Sequence, residues 1–438
     1  MTNMQRILRA KLDTWLFDHK DCPKQDTPEW HKERLKTIGG SEMATIQGMN
    51  RFSSVTDIIA GKIGLKPRFR NVRMQWGKLF EFVICAYVEY DFDTKMEAQD
   101  LFVKGRFAHQ SYSPDGVGIV ELEYSFPFQE PIEDEYERHG IEATKNIELT
   151  YKDYSLALFE FKCPFSRPVG PHGVIPDCYL PQVMAGLDTI DICDIGIYAE
   201  AMFRKCCWTD VGLSSVYDKS MTPNDTIKSS NEVLAYGFIL YYRDAALESD
   251  DDVLQDITAL DSILKAEDCG VLRANSKSTD LMDIGNCSMN IFEVVMDNYE
   301  SRHIKAFYSS IYTPDTIVNN IEQQESWPKF PFSDDASGQN IFNIEAELDH
   351  TLDVARARGY DVYGVLPWKL FKISYTFVQK EIGYLDKHMH VIDEIMQVVD
   401  KCRADPDNKL ELFNEYKSNG VYGRIDYEPD MLDLANLS

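Results

Sequence analysis

The spacing of apolar positions changes period several times along the chain. From Trp76 to Phe92, apolar residues at Leu79, Phe82, Val83, Ala86, Tyr87 and Tyr90 recur every three or four residues, the stripe of an amphipathic helix, with Glu81 beside it rather than at the opposite pole. Upstream, residues 28 to 46 read as a short helix, a turn at IGGSE and a further helix starting near Ser41. The paired glycines allow a sharp backbone path there, and Ser41 has the hydroxyl of a helix cap. Downstream the period shortens to two. Strands are expected over Phe102 to His109, Gly118 to Tyr124, Leu156 to Lys162 and Asp194 to Ala201, with a helix opening at YLPQVMAGL, Tyr179 to Leu187, between the last two. Hairpin-connected strands followed by a helical crossover predict an α/β fold, a mixed central sheet flanked by helices.

Punctuation divides the chain into an N-terminal extension, 1–29; a core, 30–210, with an insertion near 123–153; additional strands and loops extending that core, 211–345; and a mainly helical C-terminal region, 346–438. The insertion carries the acidic string Glu133, Asp134, Glu135 and Glu137, read as a solvated hairpin or loop. Glu232 to Arg243 reads as another strand, Glu248 to Asp252 as an exposed turn, and residues 320–340, rich in Pro, Gly, Ser and Asp, as a boundary. Trp368 to Cys402 has a helical rhythm and is expected to brace the core.

Composition narrows this picture. With 438 residues, 44% hydrophobic and 12% aromatic, the chain can bury a substantial core. The formal charge of -27 argues against bulk attraction to nucleic acid or an anionic membrane. Residues 32–78 depart from that background with ten Lys or Arg against three acids, a local +7 that marks where phosphate contacts are first expected; ordinary solvated surface charge is the alternative. The ten cysteines lack paired CxxC spacing, which favours reduced thiols in an intracellular compartment over a disulfide or zinc framework. The N-terminus lacks a signal-type apolar run, and no segment approaches a membrane span, so no membrane partner is expected.

The informative chemistry lies in SPDG, Ser113 to Gly116, and FEFK, Phe159 to Lys162. On a strand Glu160 and Lys162 share one face while Phe159 and Phe161 take the other, and Asp115, beside a turn, can reach the same point from a neighbouring strand. Such a group suits phosphodiester hydrolysis. Asp115, Glu160 and the Phe161 carbonyl offer hard oxygen ligands for Mg, or Mn as a substitute, and Lys162 can orient the attacking water and offset charge in the transition state. Glu81 adds a third carboxylate. Each residue alone has a plainer reading: SPDG as a turn, Glu160 and Lys162 as a polar strand face, Glu81 as a solvated helical position.

The ordered set WHKERLKTIGGSE, GKLFE, SPDG, FEFKCPFSR and YLPQVMAGL, spanning Trp30 to Ala201, resembles the phage-lambda-type exonuclease branch of the PD-(D/E)xK superfamily, especially YqaJ-like viral recombinases and alkaline nucleases. The resemblance implies a restriction-endonuclease-like fold and an activity that degrades one strand of linear duplex DNA from its 5-prime end, for recombination or viral genome processing. It gives Glu81, Asp115, Glu160 and Lys162 catalytic positions, places Gln182 beside them with Tyr179 one turn earlier, and makes Arg34 and Ser41 the pair that engages a terminal phosphate. A single-strand-annealing protein is an implied partner, and a host nucleus or cytoplasmic replication site an implied location. A related DNA or RNA nuclease of other polarity, an endonuclease, or a catalytically weak nucleic-acid-binding assembly protein remain alternatives. Arg34 paired with a nearby acid and Ser41 acting only as a cap is the plainer reading of that pair.

Overall fold

The computed structural model describes residues 2–65, 72–131, 144–165, 167–206, 211, 233–244, 305–313, 316–318, 327 and 344–418. The N-terminal elements are helices α1 (Asn3–Asp18), α2 (Pro28–Arg34), α3 (Met43–Ile46), α4 (Val55–Lys62) and α5 (Val72–Asp91), with strand β1 (Ile38–Gly39) between α2 and α3. Local chemistry starts several of these helices. Thr2 and Gln5 form a capping box on α1, Thr27 caps α2 ahead of Pro28, and Ser54 and Asp57 form a second box on α4.

Strands β2 (Val103–Lys104) and β3 (Gln110–Tyr112) join β1 in a small sheet of order β1-β3-β2. Only Val103 and Lys104 of the expected strand at Phe102 to His109 are extended. Gly105 turns the chain back where the Gln110 side chain occupies the space a Cβ would need, 2.2 Å from its ideal position.

The main sheet is built from β4 (Gly116–Pro131), β5 (Thr144–Lys162), β6 (Ile195–Lys205), β7 (Ala235–Asp244), β8 (Lys305–Tyr308), β9 (Ile311–Tyr312), β10 (Ile317–Val318) and β11 (Tyr360–Gln379). Its order is β10-β9-β7-β11-β6-β5-β4, with β8 on β7. β4 and β5 are antiparallel, whereas β5 and β6 are parallel and joined through helix α6 (Leu180–Thr189), so the expected mixed sheet with a helical crossover is present. The arms of the 123–153 insertion prolong the β4–β5 ladder to the pair Pro131 and Thr144; Glu133 to Glu137 lie outside the described residues, as do Glu248 to Asp252 and nearly all of 320–340.

Alternation along β5 assigns the two faces. Ala157, Phe159 and Phe161 meet α5 through Trp76, Phe80, Val83 and Ile84, while Leu156 and Leu158 meet α1 and α6 through Leu12, Trp15, Val183 and Leu187. The stripe on α5 is rotated from the expected one. Phe80, Ile84 and Val88 are its most buried positions and Tyr90 is exposed, because the helix packs along much of its circumference.

The expected helical rhythm from Trp368 is corrected for its first third. Residues up to Gln379 belong to β11, which pairs antiparallel with β6 on one side and with β7 on the other. From Gly364 to Leu370 every residue of this central strand is buried, so the alternation that marks a half-solvated strand is missing. Helices α7 (Ile344–Ala357), α8 (Met389–Ala404) and α9 (Lys409–Ser418) flank it in sequence. α8 packs Ile392, Ile395, Met396 and Val399 against Ile46, Ile58 and Ile59 of the N-terminal helices and Ala185 of α6.

One aromatic node ties β11 to the sheet: the Phe203 ring stacks on Phe80 at 4.5 Å and meets Trp368 edge-on at 5.4 Å. Phe203→Ala is expected to cost about 3–5 kcal/mol of stability, the usual cost of a large aromatic cavity. Urea denaturation checks this; a loss below about 1 kcal/mol would mean the node is not central to the fold.

Candidate active site

Glu160 is 1% exposed, and its two carboxylate oxygens are held from three directions. Oε2 accepts from the Tyr112 hydroxyl at 2.6 Å, while Oε1 accepts from Gln182 Nε2 and from Lys162 Nζ. The strand alternation of FEFK therefore aligns Glu160 and Lys162, and α6, entered through Pro181, supplies the glutamine. Asp115 precedes β4, where Gly116 pairs with Phe159, and its Oδ2 accepts from the Phe161 amide at 2.6 Å. Asp115, distant in sequence, thus meets Glu160 and Lys162 at one end of β5.

The electrostatics are those of crowded acids. Burial, followed by the charges of Glu160 and Glu81, pushes the Asp115 carboxyl well above its usual range. Burial and then Asp100 push Glu81 up to about 7, with Glu160 adding to the rise and Lys162 opposing it. Burial would lower the Lys162 ammonium, but Glu160 and Asp115 outweigh it and hold its pKa above the ordinary value. Among the described residues no group of three or more His, Cys, Asp or Glu side chains is arranged to hold a metal ion. The oxygen donors Asp115 and Glu160, with mutual repulsion that a cation would relieve, nevertheless suit a hard divalent ion.

Arg34 and Ser41 also come together, with Arg34 Nη2 donating to Ser41 Oγ at 3.4 Å. Ser41 does not cap a helix; it lies within a 3-10 turn, Gly40–Glu42, whose N-cap is Gly39. The arginine has an acid nearby as well, since Glu42 Oε2 is 3.8 Å from Nη2. Glu42 is shared with buried Lys62, at 3.1 Å, and the Lys62 ammonium also donates to the Thr37 and Arg34 carbonyls at 2.5 and 3.2 Å. Arg403 adds a third cation, donating to the Leu35 and Lys62 carbonyls at 2.8 Å each, so among the described residues this corner is net positive. Elsewhere the basic segment is partly neutralised: Lys36 pairs with Glu33 at 2.6 Å and Lys78 with Asp26. Arg73 is exposed, and Arg68 and Arg70 lie outside the described residues.

With this arrangement in view, residues 29–191 match the YqaJ-like viral recombinase domain. That stretch, under half of the chain, is similar to the YqaJ-like viral recombinase domain. A protein of African swine fever virus, matched in three strains or isolates, is 30% identical over 232 residues, 52% of this chain. The chain spans 63% of the length of these curated relatives. Among solved structures, an alkaline exonuclease from Laribacter hongkongensis is similar at 16% identity over 40% of this chain and 74% of its own, with a TM-score of 0.26. Its complex with dAMP gives 15%, 40%, 73% and 0.25. These two likenesses are too slight to carry a functional argument.

Within the YqaJ-like segment and just beyond it, three polar residues beside the site carry no signal in the amphipathic pattern. Tyr112 is one, and its ring lies where Cβ atoms on Gly40 and Gly186 would stand, at 2.4 and 2.5 Å. The others are Glu200 and Arg167. Glu200 is 1% exposed, sits opposite Lys162 in the parallel β5–β6 register, and accepts from Arg167, from the Tyr198 hydroxyl at 3.0 Å and from the Gly170 amide at 3.1 Å. Arg167 lies in FEFKCPFSR, but only the fold reveals its anchor. Tyr179 connects the two sets, with Lys162 Nζ 5.4 Å and the Arg167 guanidinium 5.7 Å from its ring centroid.

Glu81 gives a pH test. Its folded pKa of about 7 lies above the ordinary 4.5, so the folded chain binds the proton more tightly, and the associated stability is lost as pH rises from about 4.5 through about 7. In metal-free buffer, Glu81→Gln should gain stability relative to the parent across that interval. Parallel melting curves for the two proteins would show that Glu81 is not crowded as described.

Proposed function

We propose that this chain is a magnesium-dependent nuclease that hydrolyses linear duplex DNA, resecting one strand from the 5-prime end to leave a single-stranded tail. The observation that carries this reading is the meeting of Asp115, Glu160 and Lys162 at the end of β5, with Glu81 close enough to raise the Asp115 pKa. Asp115, Glu160 and the Phe161 carbonyl would hold Mg, or Mn in its place. When bound, the ion supplies a water of lowered pKa and a counter-charge for the scissile phosphate. Lys162, held charged by Glu160, orients the attacking water and offsets negative charge growing on the phosphate. Gln182 restrains Glu160, and Tyr179 packs under the lysine as a wall for the substrate phosphate. A single-strand-annealing partner, a viral replication site as location, and a nuclease core over 30–210 that the following strands extend belong to the same reading.

Asp115→Asn and Glu160→Gln each remove a negative oxygen donor with little change in volume. Each should lower Mg-dependent cleavage of end-labelled duplex on the order of 100-fold or more while duplex binding persists. Near-parent turnover in both variants, measured on protein free of contaminating nuclease, would dismiss this centre. Nicked circular DNA and single-stranded RNA in the same assay separate exonuclease from endonuclease and DNA from RNA.

Polarity rests on Arg34 and Ser41, whose guanidinium and hydroxyl adjoin in a corner with net positive charge. A planar guanidinium can engage two oxygens of a terminal phosphate. Duplex with a 5-prime phosphate should therefore be resected faster than duplex with a 5-prime hydroxyl, and Arg34→Ala should narrow the difference by slowing the phosphorylated substrate. The two ends carry different labels in this experiment: an unchanged phosphate preference in Arg34→Ala removes the pocket, and early loss of the 3-prime label from the parent reverses the polarity.

A further inference from the structure

Tyr112 is 2% exposed and directs its hydroxyl at the one Glu160 oxygen that neither Gln182 nor Lys162 contacts. Its ring is wedged between two segments of the site. On one side is Gly40, in the turn that carries Ser41; on the other is Gly186 of α6, one helical turn beyond Gln182. Any larger residue at either position would overlap the ring, since ideal Cβ atoms there fall 2.4 Å from Cε2 and 2.5 Å from Cζ. The strand bearing Tyr112 is itself fixed. β3 pairs in parallel with β1 through Gly39 and Ser111, and the Thr37 and Ser111 hydroxyls are 2.7 Å apart.

We propose that Tyr112 is a positioning residue for Glu160, locking the carboxylate's orientation before any cation arrives, and that Gly40 and Gly186 exist as glycines to admit its ring. The proposal rests on the reading of Glu160 as a metal ligand. A glutamate has three side-chain torsions, and a ligand held by an outer hydrogen bond spends its time in the orientation that binds; such outer partners commonly govern affinity for the ion. Tyr112 touches neither substrate nor ion in this role. It also ties the turn carrying Ser41 to the carboxylate, so the two parts of the site share one rigid spacer.

Calorimetric titration of Mn2+ into the full chain tests this apart from turnover. Tyr112→Phe keeps the ring and removes the hydroxyl. Its Mn2+ affinity should fall about 10- to 100-fold, with kcat at saturating metal within a few-fold of the parent. A merely structural hydroxyl would lower the melting temperature without moving the affinity, and that outcome overturns the proposal. Glu160→Gln is measured alongside. Loss of binding in Glu160→Gln with parent-like binding in Tyr112→Phe defeats the tyrosine's role alone, whereas parent-like binding in Glu160→Gln defeats the metal reading beneath it. Gly40→Ala keeps the hydroxyl and crowds the ring, so it provides a variant independent of the tyrosine: weakened Mn2+ affinity supports the wedge, and parent-like affinity counts against it.

Discussion

The burial of one carboxylate, Glu160, sets the terms for the architecture around it. An acid 1% exposed is tolerable only when its oxygens are met by donors or cations, because desolvating an unmatched charge costs several kcal/mol. Three distinct segments supply those partners: Tyr112 from a small sheet, Gln182 from the crossover helix and Lys162 from the same strand. Each must arrive at a fixed height, which accounts for the paired β1 and β3, the proline entry to α6, and the glycines at 40 and 186. The parallel β5–β6 pairing places a second buried acid, Glu200, opposite Lys162, and it recruits Arg167 in the same manner.

How much of this was legible depends on whether a feature is periodic. FEFK declares two faces by alternation, and YLPQVMAGL declares a helix by its apolar spacing and its proline, so β5, α6 and the convergence of Asp115, Glu160 and Lys162 could be read directly. Tyr112 could not be, since a single aromatic residue in a three-residue strand has no period. Ser41 misled because a serine before apolar residues is an ordinary capping signal, whereas here the Glu42 carboxylate accepts from the Gly39 amide and closes a 3-10 turn. β11 misled for the opposite reason: a strand buried on both faces resembles a buried helix when only hydrophobicity is counted. No pattern in the sequence marks Glu200 as the anchor of Arg167, because that pairing depends on the parallel register.

The charge distribution also has a logic that the total of -27 conceals. Cations near the site are restrained by acids that are themselves little exposed: Lys162 by Glu160, Arg167 by Glu200, and Lys62 with Arg34 by Glu42. Such pairing forfeits part of the long-range pull on a polyanion. In exchange it fixes where a guanidinium or ammonium stands, which favours recognition of a phosphate at a particular position over general adhesion to nucleic acid.

The place of β11 bears on how the chain is made. Residues 360–379 lie in the middle of the main sheet, flanked by β6 on one edge and β7 on the other. A ribosome delivers β4, β5 and β6 well before it delivers this strand. During that interval β6 presents an unpaired edge of eleven mostly apolar residues, a template for pairing with other chains. The separation in sequence between β6 and β11 also makes their contact slow to find. Covering that edge of β6 waits on residues 360–379, so the sheet that bears Asp115 and Glu160 is completed only when that strand has been made.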